Sequence, residues 1–243
     1  MRPPVKKLRD DDPCPCGSNT RYSACHGASR AVSPTAPRSV APARAAAVVS
    51  AVKALSRPVF MRERFLDAAS CALLIEGFER NVARVAEGTA DPYWSSRLLY
   101  YQSLTHEPAM RAIMRGAREG FVRELRGFYS VPEMLYSDTV HLVRWREGQS
   151  MRAHADNAHL DGTPNEYPWR DFATVLYLND DFDGGELFFE RTGLTLKPRA
   201  GTLVGFTGGL DHVHGVTEVR RGTRYTMPAW HTRDAARRDR DFD

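Results

Sequence analysis

Between Pro108 and Phe128 the apolar residues Met110, Ile113, Met114, Ala117, Phe121, Leu125 and Phe128 recur three or four positions apart. That is the spacing of one helix face turned toward a core. Pro108 suits the first turn of such a helix, where its missing N–H has no partner to lose. An earlier stretch, Met61 to Ala86, carries Phe65, Ala69, Leu73, Phe78, Val82 and Val85 at near-helical spacing. It predicts a helix ended by the Glu87-Gly88 step, with Cys71 as a small core residue inside it. Ala45 to Leu55 reads as a short helix and Pro58 as a break. Pro92 to Leu104 is aromatic and irregular, and Tyr93, Trp94, Tyr100 and Tyr101 read as cover for a sheet edge rather than as a substrate groove.

From Asp138 the period changes. Val140, Leu142, Val143 and Trp145 form a strand-like run, followed by the turn Glu147-Gly148-Gln149. His159 to Arg170 is polar with two prolines and reads as a loop. Phe172 to Leu178 is rich in β-formers and reads as a central strand. Glu186–Glu190, Leu194–Lys197, Thr202–Phe206 and Thr223–Trp230 complete a set of short strands punctuated by Gly and Pro at hairpin spacing. Asp234 to Asp243 is a mixed-charge tail expected to fray.

Length and composition fit this organisation. The 243 residues, 42% hydrophobic and 26% charged, suffice for one well-buried domain plus an appendage. A net charge of +4 without an aromatic-basic motif argues for a solvated surface and no specific nucleic acid. Met1 to Asp12 is charged and lacks the apolar core of a signal peptide, and Ala45 to Leu55 is too short to span a membrane. Three of the four cysteines crowd into CPCGSNTRYSACHG, residues 14–27. Cys14, Cys16, Cys25 and His26 offer three thiolates and an imidazole, a complete tetrahedral set for Zn(II) in a segment too short to bury a core. Residues 28–44, rich in Ala, Pro, Ser and Arg, read as a disordered linker. This cysteine usage suits a reducing cytoplasm.

The richest chemistry lies further on. His154 and Asp156 are two residues apart, so an extended backbone points both to one face. With a further histidine they form the two-His, one-carboxylate triad of non-haem Fe(II) oxygenases. His212 and His214 compete for that place. Arg224 offers a planar fork suited to a carboxylate.

The segments HADN (154–157), TVLYLND (174–180), GGELFF (184–189), LKPRAGTLVGF (196–206) and HGVTEVRRGTRY (214–225) occur in family order. Together they resemble the 2-oxoglutarate and Fe(II)-dependent dioxygenases of the prolyl 4-hydroxylase type. The knuckle resembles the SEC-C motif found at the end of the bacterial translocation motor and as an appendage elsewhere. The first resemblance implies an α+β fold, a double-stranded β-helix (jelly roll) buttressed by N-terminal helices. The implied divisions are 1–27 for the knuckle, 28–44 for the linker, 45–137 for helical support, 138–233 for the jelly roll and 234–243 for the tail. The resemblance selects His214 over His212, giving His154, Asp156 and His214 as iron ligands. It also implies that Arg224 and Tyr177 hold the far carboxylate of 2-oxoglutarate, with ascorbate as reductant. The implied reaction hydroxylates an aliphatic C–H, with a prolyl residue of a protein as leading target, and releases succinate and CO2. A free amino acid or metabolite is the alternative substrate. A metal-holding, non-catalytic interaction protein acting through the knuckle is the alternative class. The knuckle implies a docking role toward a protein or ribosome-associated partner. The chain departs from the pattern at Trp145, where the family often has Tyr, and at Met151, where it often has an aromatic residue.

Overall fold

A computed structural model describes residues 58–82, 94 and 96–242. The knuckle, the linker, the Ala45–Leu55 helix and the Glu87-Gly88 helix stop lie outside those residues.

The described chain begins with strand β1 (Phe60–Arg62) and helix α1 (Ala68–Arg80). Strand β2 (Leu98–Tyr100), a 3-10 turn (Tyr101–Leu104) and helix α2 (Pro108–Tyr129) follow. The remaining strands are β3 (Tyr136–Trp145), β4 (Met151–His154), β5 (Phe172–Tyr177), β6 (Asp183–Gly184), β7 (Leu187–Phe189), β8 (Leu194–Leu196), β9 (Leu203–Thr207), β10 (His214–Val216), β11 (Val219–Arg221) and β12 (Arg224–Thr232). They form a six-stranded sheet in the order β1-β9-β5-β12-β3-β2, a four-stranded sheet in the order β4-β10-β7-β8 and a two-stranded ribbon, β11-β6. Every pairing is antiparallel.

Both faces of the large sheet are covered. Along β5, Phe172 and Leu176 join a core shared with the helices, while Ala173 and Tyr177 join a second core inside the barrel. The same alternation runs along β12, where Met227 and Ala229 meet the helices and Trp230 packs into the barrel. Two-sided burial explains why these strands read as continuous apolar runs rather than as alternating ones. Helix α2 supplies Met110, Met114, Ala117, Phe121 and Leu125 to the outer core, as its stripe predicts. Phe128, the last residue of that stripe, is 48% exposed, with its ring 5.2 Å from that of Phe60 on the sheet edge.

Helix α1 starts later than its apolar spacing suggests. Residues Phe60–Arg62 pair with β9 as an edge strand, and the helix begins only after Asp67, whose carboxylate caps the Ser70 N–H at 2.8 Å. Helix α1 closes at Arg80, with Asn81 as its C-cap. Strand β2 likewise lies on the edge of the large sheet, beside β3. The region expected to be helical support therefore lends the sheet two strands. Tyr101 is buried at the edge, and Trp94 packs edge-on against Trp145 at 6.0 Å. The start of the tail makes contacts with the rest of the chain. Asp234 caps a 3-10 turn, the Asp239 N–H donates to the Ser137 carbonyl, and Arg237 lies 4.0 Å over the Trp169 ring.

Two buried histidines lock the sheet. His231 lies between the hydroxyls of Ser137 and Thr174, at 3.1 and 2.9 Å. His141 packs between Tyr100 and Trp230. Burial, helped by the charge of Arg170 on His141 and of Arg118 on His231, pushes both imidazoles down to about 3. Their folded values lie below the unfolded value of about 6.5, so the unfolded chain binds the extra protons once the pH falls below that value. Stability contributed by keeping them neutral is present above about pH 6.5 and is lost progressively toward about pH 3. Unfolding free energies from urea titrations across this window are expected to fall by roughly 3 kcal/mol per pH unit, about 1.4 for each histidine, with the urea midpoint falling in step. A midpoint that stays level from pH 6.5 to 4 would contradict this.

Candidate active site

Strands β4 and β10 pair so that His154 and His214 stand directly opposite one another. Their ring centroids are 4.5 Å apart. Asp156 follows β4 immediately and is held from behind, because its N–H and that of Asn157 both donate to the Gly208 carbonyl, at 2.8 and 3.1 Å. The ligand atoms of His154, Asp156 and His214 all lie within 4.8 Å of one another. This is the one such group of three among the described residues.

The local hydrogen bonds fix how each group presents itself. His154 Nδ1 lies 2.9 Å from the Arg152 carbonyl, and His214 Nδ1 lies 2.9 Å from the His212 carbonyl. A carbonyl only accepts, so each Nδ1 carries the proton and each Nε2 offers a lone pair. Burial, followed by the nearby His154, pushes His214 down to about 4, so it is neutral at pH 7. Asp156 is 5% exposed; its Oδ1 accepts the Trp230 indole N–H at 2.6 Å, and its Oδ2 is buried with no hydrogen-bond partner. Two bare imidazole nitrogens and an unmatched carboxylate oxygen are the donor set that a divalent transition metal takes. Phe206 and Phe189 flank His214 at 4.5 and 6.0 Å. The His154 side chain is 36% exposed, so the open side of the group lies there.

His212, the competitor, lies in the 3-10 turn before β10, and its Nδ1 is bonded by the Thr207 hydroxyl at 2.7 Å. It points into structure rather than into the group. His159 lies on the 159–170 loop and is also outside it.

Deeper in the barrel, Arg224 is 2% exposed. One terminal nitrogen donates to the Tyr177 hydroxyl at 3.1 Å, and the other reaches the Thr226 hydroxyl at 3.5 Å. Nε has no hydrogen-bond partner, and no ion pair among the described residues involves this arginine. A buried guanidinium with only neutral neighbours is costly unless an anion completes it. Gly185 (φ +64°) packs where a Cβ would come within 3.0 Å of Arg224 Cδ. Trp145, the departure from the usual tyrosine, sits in register with Arg224 across β3 and β12 and is buried against Val219 and Met151.

Two residues with evident roles carry no signal strong enough to be found in the sequence alone. Trp230 shares a strand face with Arg224, six positions earlier, but nothing local shows that it meets Asp156. Asn179 holds the chain on both sides of Arg224, donating to the Thr223 carbonyl at 2.7 Å and accepting from the Tyr225 N–H at 2.8 Å. Its place in TVLYLND is the only hint.

Comparison with known proteins agrees with this arrangement. Residues 140–232 match the family model described as the 2OG-Fe(II) oxygenase superfamily, and residues 12–28 match that of the SEC-C motif. Human prolyl 3-hydroxylase 3 is 38% identical over 143 residues, covering 50% of this chain and 19% of that protein. The chain thus spans about a fifth of the length of the curated relatives it matches first. A Pseudomonas putida prolyl-4-hydroxylase structure aligns with TM-score 0.56 and 23% identity, covering 78% of this chain and 99% of the other. A Trichoplax adhaerens prolyl hydroxylase, solved in complex with a hypoxia inducible factor oxygen degradation domain peptide fragment, aligns with TM-score 0.59 and 13% identity, covering 82% and 96%. These likenesses identify the antiparallel sheets as a jelly roll. The ordered segments from His154 to Tyr225 fall within residues 140–232, the stretch of this chain that matches the 2OG-Fe(II) oxygenase superfamily.

Proposed function

We propose that the chain is a hydroxylase that uses Fe(II) and 2-oxoglutarate to oxidise an aliphatic C–H bond, with a prolyl residue of a polypeptide as substrate. The observation that carries the reading is the pairing of two preformed sites. One is a metal-ready group at His154, Asp156 and His214. The other is a buried, anion-deficient arginine at Arg224. A dicarboxylate that chelates a metal at one end and needs a cation at the other fits such a pair.

In this reading His154 and His214 bind Fe(II) through Nε2, and Asp156 binds it through Oδ2. The Arg224 fork takes the far carboxylate of 2-oxoglutarate, and the Tyr177 hydroxyl donates to the same group. The bound iron and cosubstrate supply the oxidation, in which 2-oxoglutarate and O2 become succinate and CO2 while one oxygen atom enters the substrate C–H. The protein orients the reactants and excludes water, with Phe206 and Phe189 closing the side behind His214. The exposed flank at His154 is where a polypeptide would approach. The prolyl target is supported by the names of the relatives, and the Trichoplax complex is precedent for a peptide in this fold. The SEC-C segment, with Zn(II) on Cys14, Cys16, Cys25 and His26, would serve as a docking module beside the catalytic domain.

The test is succinate formation from 2-oxoglutarate by purified protein given Fe(II), ascorbate and air, with and without proline-containing peptides. We expect a basal rate, raised by a peptide substrate, with hydroxyproline appearing in the product by mass spectrometry. A protein that binds Fe(II) yet yields no succinate with any peptide or free amino acid would reject the hydroxylase reading.

A further inference from the structure

We propose that Trp230 and Arg170 are positioning residues of the metal centre, holding the Asp156 carboxylate in place and tying it to the 159–170 loop. This rests on the reading of His154, Asp156 and His214 as a metal site. The indole N–H of Trp230 donates to Asp156 Oδ1 at 2.6 Å, a short bond to a buried carboxylate. Bonds of this charge-assisted kind are about twice as strong as neutral ones and fix geometry accordingly. With Oδ1 held, Oδ2 is the oxygen left without a partner, so the carboxylate is presented one oxygen at a time.

The indole is itself clamped. His141 packs on it with ring centroids 5.5 Å apart, and the Arg170 guanidinium lies 4.2 Å over its ring. Arg170 is held in turn by Asp138, whose Oδ2 accepts from Arg170 Nε at 2.9 Å and from Trp169 Nε1 at 3.1 Å. On its outer side Arg170 meets the ring of Tyr167 at 3.9 Å. Tyr167 is 44% exposed, so the stack Tyr167–Arg170–Trp230 runs from the surface of the loop to the buried carboxylate. The loop's middle and its far end are fastened beside the same carboxylate residue. Asn157 Nδ2 donates to the Arg170 carbonyl at 3.0 Å, and Asn165 Nδ2 donates to the Asp156 carbonyl at 3.1 Å. Gly208 lets these strands meet, since a Cβ there would lie 2.3 Å from the Arg170 carbonyl oxygen. Anything that displaces the loop therefore pulls on a metal ligand. Partners of this type, one bond behind the ligands, typically affect metal affinity by 10–100-fold.

The test is Mn(II) binding to the metal-free full-length protein, followed by electron paramagnetic resonance, for the wild type and for Trp230→Phe. The phenyl ring keeps the contacts with Arg170 and His141 and removes only the N–H. We expect roughly 10–100-fold weaker Mn(II) binding with the far-ultraviolet dichroism retained. A purely structural tryptophan would change the melting temperature and leave Mn(II) affinity where it was, and that result overturns the inference. Arg170→Lys, which keeps the charge near Asp138 and loses the planar stack, is expected to weaken Mn(II) binding several-fold. It decides the matter if Trp230→Phe does not fold, and an unchanged affinity then counts against the inference. Wild-type protein that binds no Mn(II) would remove the metal-site reading itself, a result distinct from equal binding by wild type and variants.

Discussion

Asp156→Ala is expected to reduce succinate production to background and to cut divalent-metal affinity by more than the 10–100-fold typical of a partner behind the ligands. In the proposed site three protein ligands would hold the ion, and among the described residues no other carboxylate belongs to the group, so none could take over. The stability readout should move in the opposite sense. Without metal, Asp156 is a buried carboxylate whose Oδ2 lacks any partner, and removing such a charge relieves a desolvation cost. The metal-free variant should therefore melt no lower than the metal-free wild type, apart from the orphaned Trp230 N–H. What should vanish is the gain on adding Mn(II), about 2.7 kcal/mol for the wild type at a hundredfold excess over its dissociation constant. Calorimetric melts with and without Mn(II), run on both proteins, check this directly. A variant that is still stabilised by the metal would show that the ion sits elsewhere.

Much of the site was legible because its geometry is local. His154 and Asp156 stand two apart at the end of β4, and period-two backbone alone places them together. The choice of His214 over His212 rested on motif spacing, and the fold supplies its physical reason. His214 lies within β10, opposite His154, whereas His212 falls in the preceding turn and is taken by Thr207. The neighbourhood of Arg224 and Tyr177, 47 positions apart, was legible only through the family resemblance, and the fold supplies its physical reason. Tyr177 is in register with Thr226 on the adjacent strand, so the two side chains project from one face of paired strands.

What the sequence concealed depends on closure of the barrel. Trp230 reaches Asp156 across 74 positions, and no periodicity reports such a contact. Strand β1 was hidden for another reason. Phe60–Arg62 covers a single edge of the sheet, with one buried residue in three, and the helical spacing starting at Phe65 overlaps its approach. The trace that existed was Gly205, the residue opposite Phe60. A Cβ there would lie 2.1 Å from the Phe60 ring, so the glycine makes room for an aromatic lid on β9. Strand β2 carries an apolar triplet, Leu98–Tyr100, inside an aromatic stretch, and only its pairing with His141–Val143 turns edge cover into a strand.

Arg224→Ala should show the largest split between stability and function. The guanidinium is buried beside a phenol, a hydroxyl and no anion, so the free protein carries its desolvation cost uncompensated. 2-Oxoglutarate would relieve that cost on binding, which is why the arginine is worth more to the complex than to the fold. Losing one partner of a buried charge pair typically costs about 2–5 kcal/mol, or roughly 30- to 5,000-fold in the 2-oxoglutarate requirement. The variant's melting temperature without cosubstrate should hold or rise. Arg224→Lys keeps a charge but loses the planar fork, and its requirement should fall between those of wild type and Arg224→Ala. Tyr177→Phe removes a single neutral donor and should cost about 0.5–1.5 kcal/mol in the same measurement. The ordering wild type, Tyr177→Phe, Arg224→Lys, Arg224→Ala in rising 2-oxoglutarate KM, with Mn(II) affinity unchanged throughout, would separate the carboxylate end of the site from its metal end. An Arg224→Ala protein that melts several degrees lower without cosubstrate and keeps the wild-type KM would make this arginine a structural residue and leave the far carboxylate without an assigned partner.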